Sequence, residues 1–276
     1  MTEAGVSRVF VKLGGSLLTD KTRAKSLRTG VLNALAGEIA SALREQPNLQ
    51  LLIGHGSGSF GHVTAKRFAT RAGVKTEQQW RGFAETSLVA AQLHRYVVDA
   101  LWSAGVPALG LQPSASILCR NGKLVEVDHG PILAALENGL TPVIYGDVAF
   151  DSEIGGTIAS TEELFSHLAT HLGPQRVILV GEVPGVMTKN PDESKDADLI
   201  PIITPEDLTS LQSALGASRG VDVTGGMLTK VRETMALLST CPQLLHAQII
   251  SGLAPGHLHD TLTRPELSLG TRILPS

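Results

Sequence analysis

Two glycine-rich stretches hold the residue types that phosphate chemistry needs. Lys12-Leu13-Gly14-Gly15-Ser16 follows the apolar run Val9-Phe10-Val11, and Gly54-His55-Gly56-Ser57-Gly58-Ser59-Phe60-Gly61-His62 follows a second apolar run over 49–53. Glycine lets successive backbone N–H groups turn toward an anion with no Cβ in the way, and a helix start behind such a loop adds the positive end of its dipole. One glycine cluster would suit any turn. Two of them, each at the end of an apolar run, could hold two phosphorylated molecules face to face. Lys12 stands where a strand would end, the place at which open α/β sheets bind ligands, and Lys21 sits nearby.

Further candidates gather around these loops. His62 closes the second loop; an imidazole N–H can bind a phosphate oxygen and, with a reference pKa of about 6.5, can carry charge beside a dianion. The plain alternative is a helix cap. For His55, between run and loop, a structural role with its ring bonded to backbone is expected, and His94, His167 and His246 read as core or surface residues. Gly146-Asp147 follows the apolar run 142–145 and would bring a carboxylate to the same crevice, although Gly-Asp is also a common turn pair. Neither loop matches the P-loop pattern. Gly56 to Gly61 has the spacing of a dinucleotide fingerprint but lacks the acidic residue beyond a following strand, so that reading ranks second.

Short apolar runs alternate with longer stretches of helical period, the pattern of βα units and a largely parallel sheet. Strands are predicted over 9–13, 49–53, 106–111, 142–145, 176–180 and 247–250, with a short apolar segment at 270–273. Helices are predicted over 32–43, 88–101, 132–137, 161–171 and 227–238. Ser160 or Thr161 would cap the fourth of these, with Glu162 and Glu163 in its first turn. Asn121-Gly122 marks a hairpin within 117–125, and 190–198 is polar enough for an exposed loop. One continuous sheet carrying two lobes is the simplest architecture.

The 276 residues, 42% of them hydrophobic, can bury a substantial core. A net charge of −3 and a pI near 6.3 argue against a nucleic-acid surface, which needs a basic stripe. No stretch is apolar and long enough to span a bilayer, and no signal-peptide pattern opens the chain. Cys119 and Cys241 lack metal-ligand spacing and read as buried free thiols; a cytoplasmic, soluble protein is expected.

Taken together, residues 11–21, 54–62, Tyr145-Gly146-Asp147-Val148 and Val221-Asp222-Val223-Thr224-Gly225-Gly226-Met227 with Lys230 resemble the amino acid kinase family over nearly the whole chain. Ser59-Phe60-Gly61-His62 is similar to its isopentenyl phosphate and fosfomycin kinase branch. The resemblance implies a three-layer α/β/α sandwich around a mainly parallel open sheet, in one domain over 1–276. An N-terminal lobe of about 1–172 would bind the acceptor and a C-terminal lobe of about 173–276 the nucleotide. It further implies ATP- and Mg²⁺-dependent phosphorylation of isopentenyl phosphate to the diphosphate, and a homodimer. Fosfomycin-type phosphonate phosphorylation and a catalytically silent nucleotide-binding regulator are the alternatives. Lys12, Lys21, His62 and Lys230 would be catalytic; Gly56, Ser57, Gly61, His62, Gly146 and Asp147 would bind the acceptor. Lys12, Gly14, Gly15, Ser16, Gly58, Glu162, Asp222, Gly225, Gly226 and Lys230 would bind the nucleotide, and no residue is assigned as a metal ligand. Ser160-Thr161-Glu162-Glu163 departs from the family's usual Ser-Gly-Asp-Asp or Ser-Gly-Asp-Glu, so Glu162 has to reach one methylene farther from a loop without its glycine. The 181–186 turn departs too. For the acceptor's apolar tail, Phe83, Ala84, Leu88, Val89 and Ile154 are candidates, although core packing explains each equally well.

Overall fold

A computed structural model describes residues 6–20, 22–189, 196–208, 211 and 223–275. In chain order it forms β1 (Ser7–Leu13), α1 (Gly15–Leu18), α2 (Thr29–Glu45), β2 (Leu49–His55), α3 (Gly58–Phe68), α4 (Glu77–Ser103), β3 (Ala108–Gly110), β4 (Ile117–Arg120), β5 (Lys123–Val127) and α5 (Gly130–Glu137). There follow β6 (Thr141–Tyr145), β7 (Asp147–Asp151), β8 (Gly155–Ala159), α6 (Thr161–Leu172), β9 (Arg176–Gly181), β10 (Ile202–Ile203), α7 (Val223–Thr240), β11 (His246–Ser251), α8 (His257–Thr263) and β12 (Thr271–Ile273).

The main sheet has eight strands in the order β10-β12-β11-β9-β1-β2-β6-β3. All neighbours run parallel except β11 and β12. Strands from the two halves of the chain meet where β1 pairs with β9, so the division near residue 172 runs between two hydrogen-bonded strands of one sheet. Strand alternation explains the layering. Val9, Val11 and Leu13 of β1 bury with Leu32, Leu35 and Ile39 of α2 and with Leu258 of α8. Phe10, on the opposite face, buries with Leu164, Phe165 and Leu168 of α6 and with Val231 and Met235 of α7. Helices on both faces of a mostly parallel sheet make the three-layer sandwich.

The single continuous sheet is a misreading. A second sheet of four strands, β5-β4-β7-β8, stands apart from it and carries two hairpins, the first of them predicted. Its first hairpin turns at Asn121 (φ 49°) and Gly122 (φ 75°), as the Asn-Gly pair predicts. The second, β7–β8, was not predicted; its strands pair from Asp147–Ala159 to Asp151–Gly155. The Asp151 carboxylate accepts from the backbone N–H groups of Asn121, Gly122, Glu153 and Ile154, tying both turns together.

Three helix starts also differ from the sequence reading. α4 begins eleven residues early because Thr76 and Gln79 form a capping box. Gly58 opens α3 inside the predicted loop, so His62 lies within a helix rather than at a loop's end. Gly225 and Gly226 lie within α7 rather than ahead of it. Most of the predicted loop at 190–198 falls outside the described residues. Cys119 and Cys241 are free and buried. No helix among the described residues is long and apolar enough to cross a membrane.

Candidate active site

β1 and β2 are parallel neighbours, so their glycine loops leave the sheet side by side. Gly14 N donates to Val180 O of β9 at 2.8 Å, and Gly56 N donates to Leu13 O at 3.3 Å. The two loops touch backbone to backbone. A Cβ on Gly15 would sit 2.6 Å from Gly58 N, and one on Gly58, whose φ is +49°, would sit 2.5 Å from Gly15 O. Glycine is required at this crossing. Thr19 fastens it, its Oγ1 donating to Gly15 O at 2.7 Å and accepting from Ser59 N at 2.9 Å. Ser57 precedes α3, and Gly61 leaves room for its hydroxyl, since a Cβ there would lie 2.5 Å from Ser57 Oγ. Ser16 lies half-buried in α1, and His62 is exposed on α3.

The charged side of the site follows from the β1 pleat. Phe10 and Lys12 share the face toward α6, where Phe10 packs on Phe165 with ring centroids 5.0 Å apart. One turn earlier on the same helix, Glu162 pairs with the Lys12 ammonium. Burial pushes the Glu162 carboxyl up, but Lys12, the residue's own N–H and the field of Lys230 together hold it below the usual carboxylate range. Lys230 is exposed on α7 within reach of that field. The altered 160–163 segment therefore still delivers a carboxylate to the lysines. It does so because Ser160 caps α6 in a reciprocal box with Glu163, which aims Glu162 at the sheet. Glu163 is occupied elsewhere, with Arg71 at 2.9 Å. A narrow cleft lined by Lys12, Glu162, Lys230 and Glu233 runs along this side. Burial, then Glu162 and Glu163, raise the Glu233 carboxyl.

The opposite side is held by hydrogen bonds. His55 O accepts from Gly146 N at 3.1 Å and from Thr161 Oγ1 at 2.7 Å, so the ends of β2 and β6 and the start of α6 converge on one carbonyl. Asp147 is buried and does not contact the lysines. Its carboxylate accepts from Val148 N at 2.8 Å and Ser114 N at 3.3 Å. Burial raises its pKa against those bonds.

Among the predicted site residues, Lys12, Gly14, Gly15, Gly56, Ser57, Gly58 and Glu162 come together at the carboxyl ends of β1 and β2. Gly146 joins through the His55 carbonyl, and Lys230 through Glu162. Lys21 and Asp222 lie outside the described residues. Of the tail candidates, Ala84 and Leu88 face outward, while Phe83 and Val89 are buried and Ile154 is half-buried. Phe83 packs instead with Trp80 and Phe150, both at 5.3 Å between ring centroids. Sequence reasoning named Phe83 and a backbone partner for the His55 ring but missed Trp80 and Phe150 beside the one, His94 beside the other and the Arg28–Glu182 ion pair at 2.6 Å.

Comparison with known proteins agrees with this geometry. The profile of the Amino acid kinase family matches residues 7–245. A protein named isopentenyl phosphate kinase from Methanothermobacter thermautotrophicus is 37% identical, covering 96% of this chain and 98% of its own. One of the same name from Haloferax volcanii is 35% identical over 91% of this chain and 98% of its own. A solved structure described as an isopentenyl phosphate kinase superposes with a TM-score of 0.80 at 33% identity, covering 96% of this chain and 99% of that one. The chain belongs to the amino acid kinase family, in its isopentenyl phosphate kinase branch.

Proposed function

We propose that this protein transfers the γ-phosphoryl group of ATP to the phosphate of isopentenyl phosphate, giving isopentenyl diphosphate and ADP. A phosphate oxygen of the acceptor attacks the γ-phosphorus as the bond to the β-phosphate oxygen breaks. Little covalent help is needed; donor and acceptor must be held in line with cations over the oxygens where charge spreads. The acceptor is itself an anion. Two unit charges about 4 Å apart repel by about 4 kcal/mol at an effective dielectric of 20, so the gap must be rich in cations and N–H donors.

The observation that carries this reading is the crossing of two glycine loops beside the Lys12–Glu162 pair. The backbone cradle and the lysines around Glu162 fit the phosphate chain of a nucleotide carrying Mg²⁺, which when bound neutralises phosphate oxygens. Lys12 flanks the transferring phosphoryl group and Lys230 reaches it from the nucleotide side; the same flanking role is proposed for Lys21 from the sequence alone. The Gly56–Gly61 segment and His62 take the acceptor phosphate, so the half of the sheet with β1, β2 and β6 serves the acceptor and the half with β9 and β11 the nucleotide. Glu162 keeps the lysine charge directed, and Asp147 acts through its neighbours. The aromatic group of Trp80, Phe83 and Phe150 suits an apolar tail. A homodimer along α4 and the β3 edge accords with the exposure of Tyr96, Trp102, Leu109 and Leu140, and light scattering tests it. A cytoplasmic setting suits the two free thiols.

ATP consumption across a substrate panel tests the reading. Turnover with isopentenyl phosphate is expected; turnover only with fosfomycin, or with no acceptor at all, overturns it.

A further inference from the structure

The second glycine loop is anchored by a pair of imidazoles, His55 buried and His94 half-buried, that the reaction itself does not use. His55 Nδ1 lies 3.1 Å from Gly56 O, and His55 Nε2 lies 3.1 Å from His94 Nδ1. Tyr145 covers both rings, with centroids 4.4 Å from His94 and 5.7 Å from His55. Burial and the nearby Asp147 carboxylate push its phenol pKa up. His94 Nε2 is buried, and no donor or acceptor among the described residues reaches it.

These contacts leave one arrangement of protons. A carbonyl oxygen only accepts, so His55 carries its proton on Nδ1 and donates to Gly56. His55 Nε2 is then a bare acceptor, and His94 donates to it from Nδ1. His94 Nε2 is left as an unpaired lone pair. The reverse tautomers would set the bare His55 Nδ1 against the Gly56 carbonyl and strand a buried N–H at His94 Nε2, two faults in place of one. Burial lowers the pKa of His55 to about 3 and that of His94 to about 4, so both rings are neutral near pH 7.

We propose that His94 and His55 are positioning residues for the acceptor phosphate, a one-way hydrogen-bond chain that pins the Gly56 carbonyl and thereby aims the Ser57 N–H. The peptide unit is planar and trans, so its C=O and N–H point in opposite directions. Holding the carbonyl against the imidazole turns the Ser57 N–H away from it. The other side of Gly56 is held by its own N–H on Leu13 O, and a Cβ there would lie 3.2 Å from Gly15 N. A loop that approaches another backbone this closely has few ways to turn, and the imidazole selects one. Tyr145 stacks on both rings and packs them in place.

This inference rests on the acceptor assignment above, and its tests separate the two. Long-range ¹H–¹⁵N spectra of the wild-type protein report tautomers without any turnover; Nδ1–H on both His55 and His94 is expected, and Nε2–H on either overturns the chain. His94→Leu, which keeps bulk and removes the donor, is expected to raise KM for isopentenyl phosphate about tenfold or more, with KM for ATP within about twofold. His94→Asn places an amide donor near the lost Nδ1 and is expected to restore most of the difference. Equal losses for both substrates, or failure of the Asn variant to exceed the Leu variant, assigns His94 to packing and overturns the proposal. Should His94→Leu not fold, the tautomer spectrum and a His94→Asn variant within about threefold of wild type decide it. Absence of wild-type turnover with isopentenyl phosphate would instead remove the acceptor assignment, leaving the tautomer result to stand or fall alone.

Discussion

The two sides of the crevice at the ends of β1 and β2 are built on opposite electrical plans. On the α6 side, Lys12 and Glu162 meet as full charges within the field of Lys230. On the β6 side, His55 and His94 are held neutral by burial, and the loop they support is fixed by directed hydrogen bonds. Charge stands where phosphoryl charge must be met. Neutral groups stand where the task is to orient a peptide, because a buried unpaired cation would cost several kcal/mol and would shift with salt and pH.

The comparison breaks hardest at Lys12. Lys12→Ala is expected to lower kcat by about 10³, with a smaller effect on nucleotide affinity, since the cation matters most as charge develops on the transferring group. Single-turnover kinetics with bound ATP check this, and an unchanged kcat contradicts the assignment. His62→Ala, on the acceptor side, is expected to cost about 2–3 kcal/mol in kcat/KM for isopentenyl phosphate, about a hundredfold, while ATP binding stays near wild type. Wild-type kinetics in that variant would take His62 out of the site. Glu162→Gln keeps the shape and removes the counter-charge; kcat should fall at least about tenfold with the fold intact. A lower thermal midpoint with full turnover would show that Glu162 serves only the helix start.

The smallest effect sharpens the neutral side. Both imidazoles titrate below their unfolded value of 6.5, so the unfolded chain takes up protons first as pH falls. Their contribution is complete above about pH 6.5 and is lost as pH drops toward 4, each ring adding up to about 1.4 kcal/mol per pH unit. The Tyr145 phenol stacks on both rings, and the Arg95 guanidinium lowers His94 further. Urea midpoints between pH 4.5 and 7 should show a shallower slope in His94→Asn than in wild type. An identical slope would mean that His94 is not the buried neutral ring described.

Much of the site was legible where one segment decides it. Lys12 could be placed because it ends an apolar run ahead of one glycine loop, and a second glycine loop follows a second apolar run. His55 could be assigned a structural ring bonded to backbone for the same reason. Its partner could not, because His94 sits mid-helix with no neighbour in sequence that marks it. Of the aromatic group beside the second sheet only Phe83 was named, and exposed Leu88 and Ala84 were named with it, because helical period alone does not tell which face of a 27-residue helix is covered. α7 was begun late because glycine reads as a loop residue.

The sequence by itself determined the βα alternation, the Asn121-Gly122 turn, the Ser160 cap and the family of the chain, because each depends on residues within a few positions of one another. Only the tertiary structure decided that Gly15 would press on Gly58, that Lys12 would find Glu162, and that His94 would reach His55. Those meetings depend on strand order and on which helix packs over which strand, and a contact between segments up to 150 residues apart leaves no local period or spacing to read.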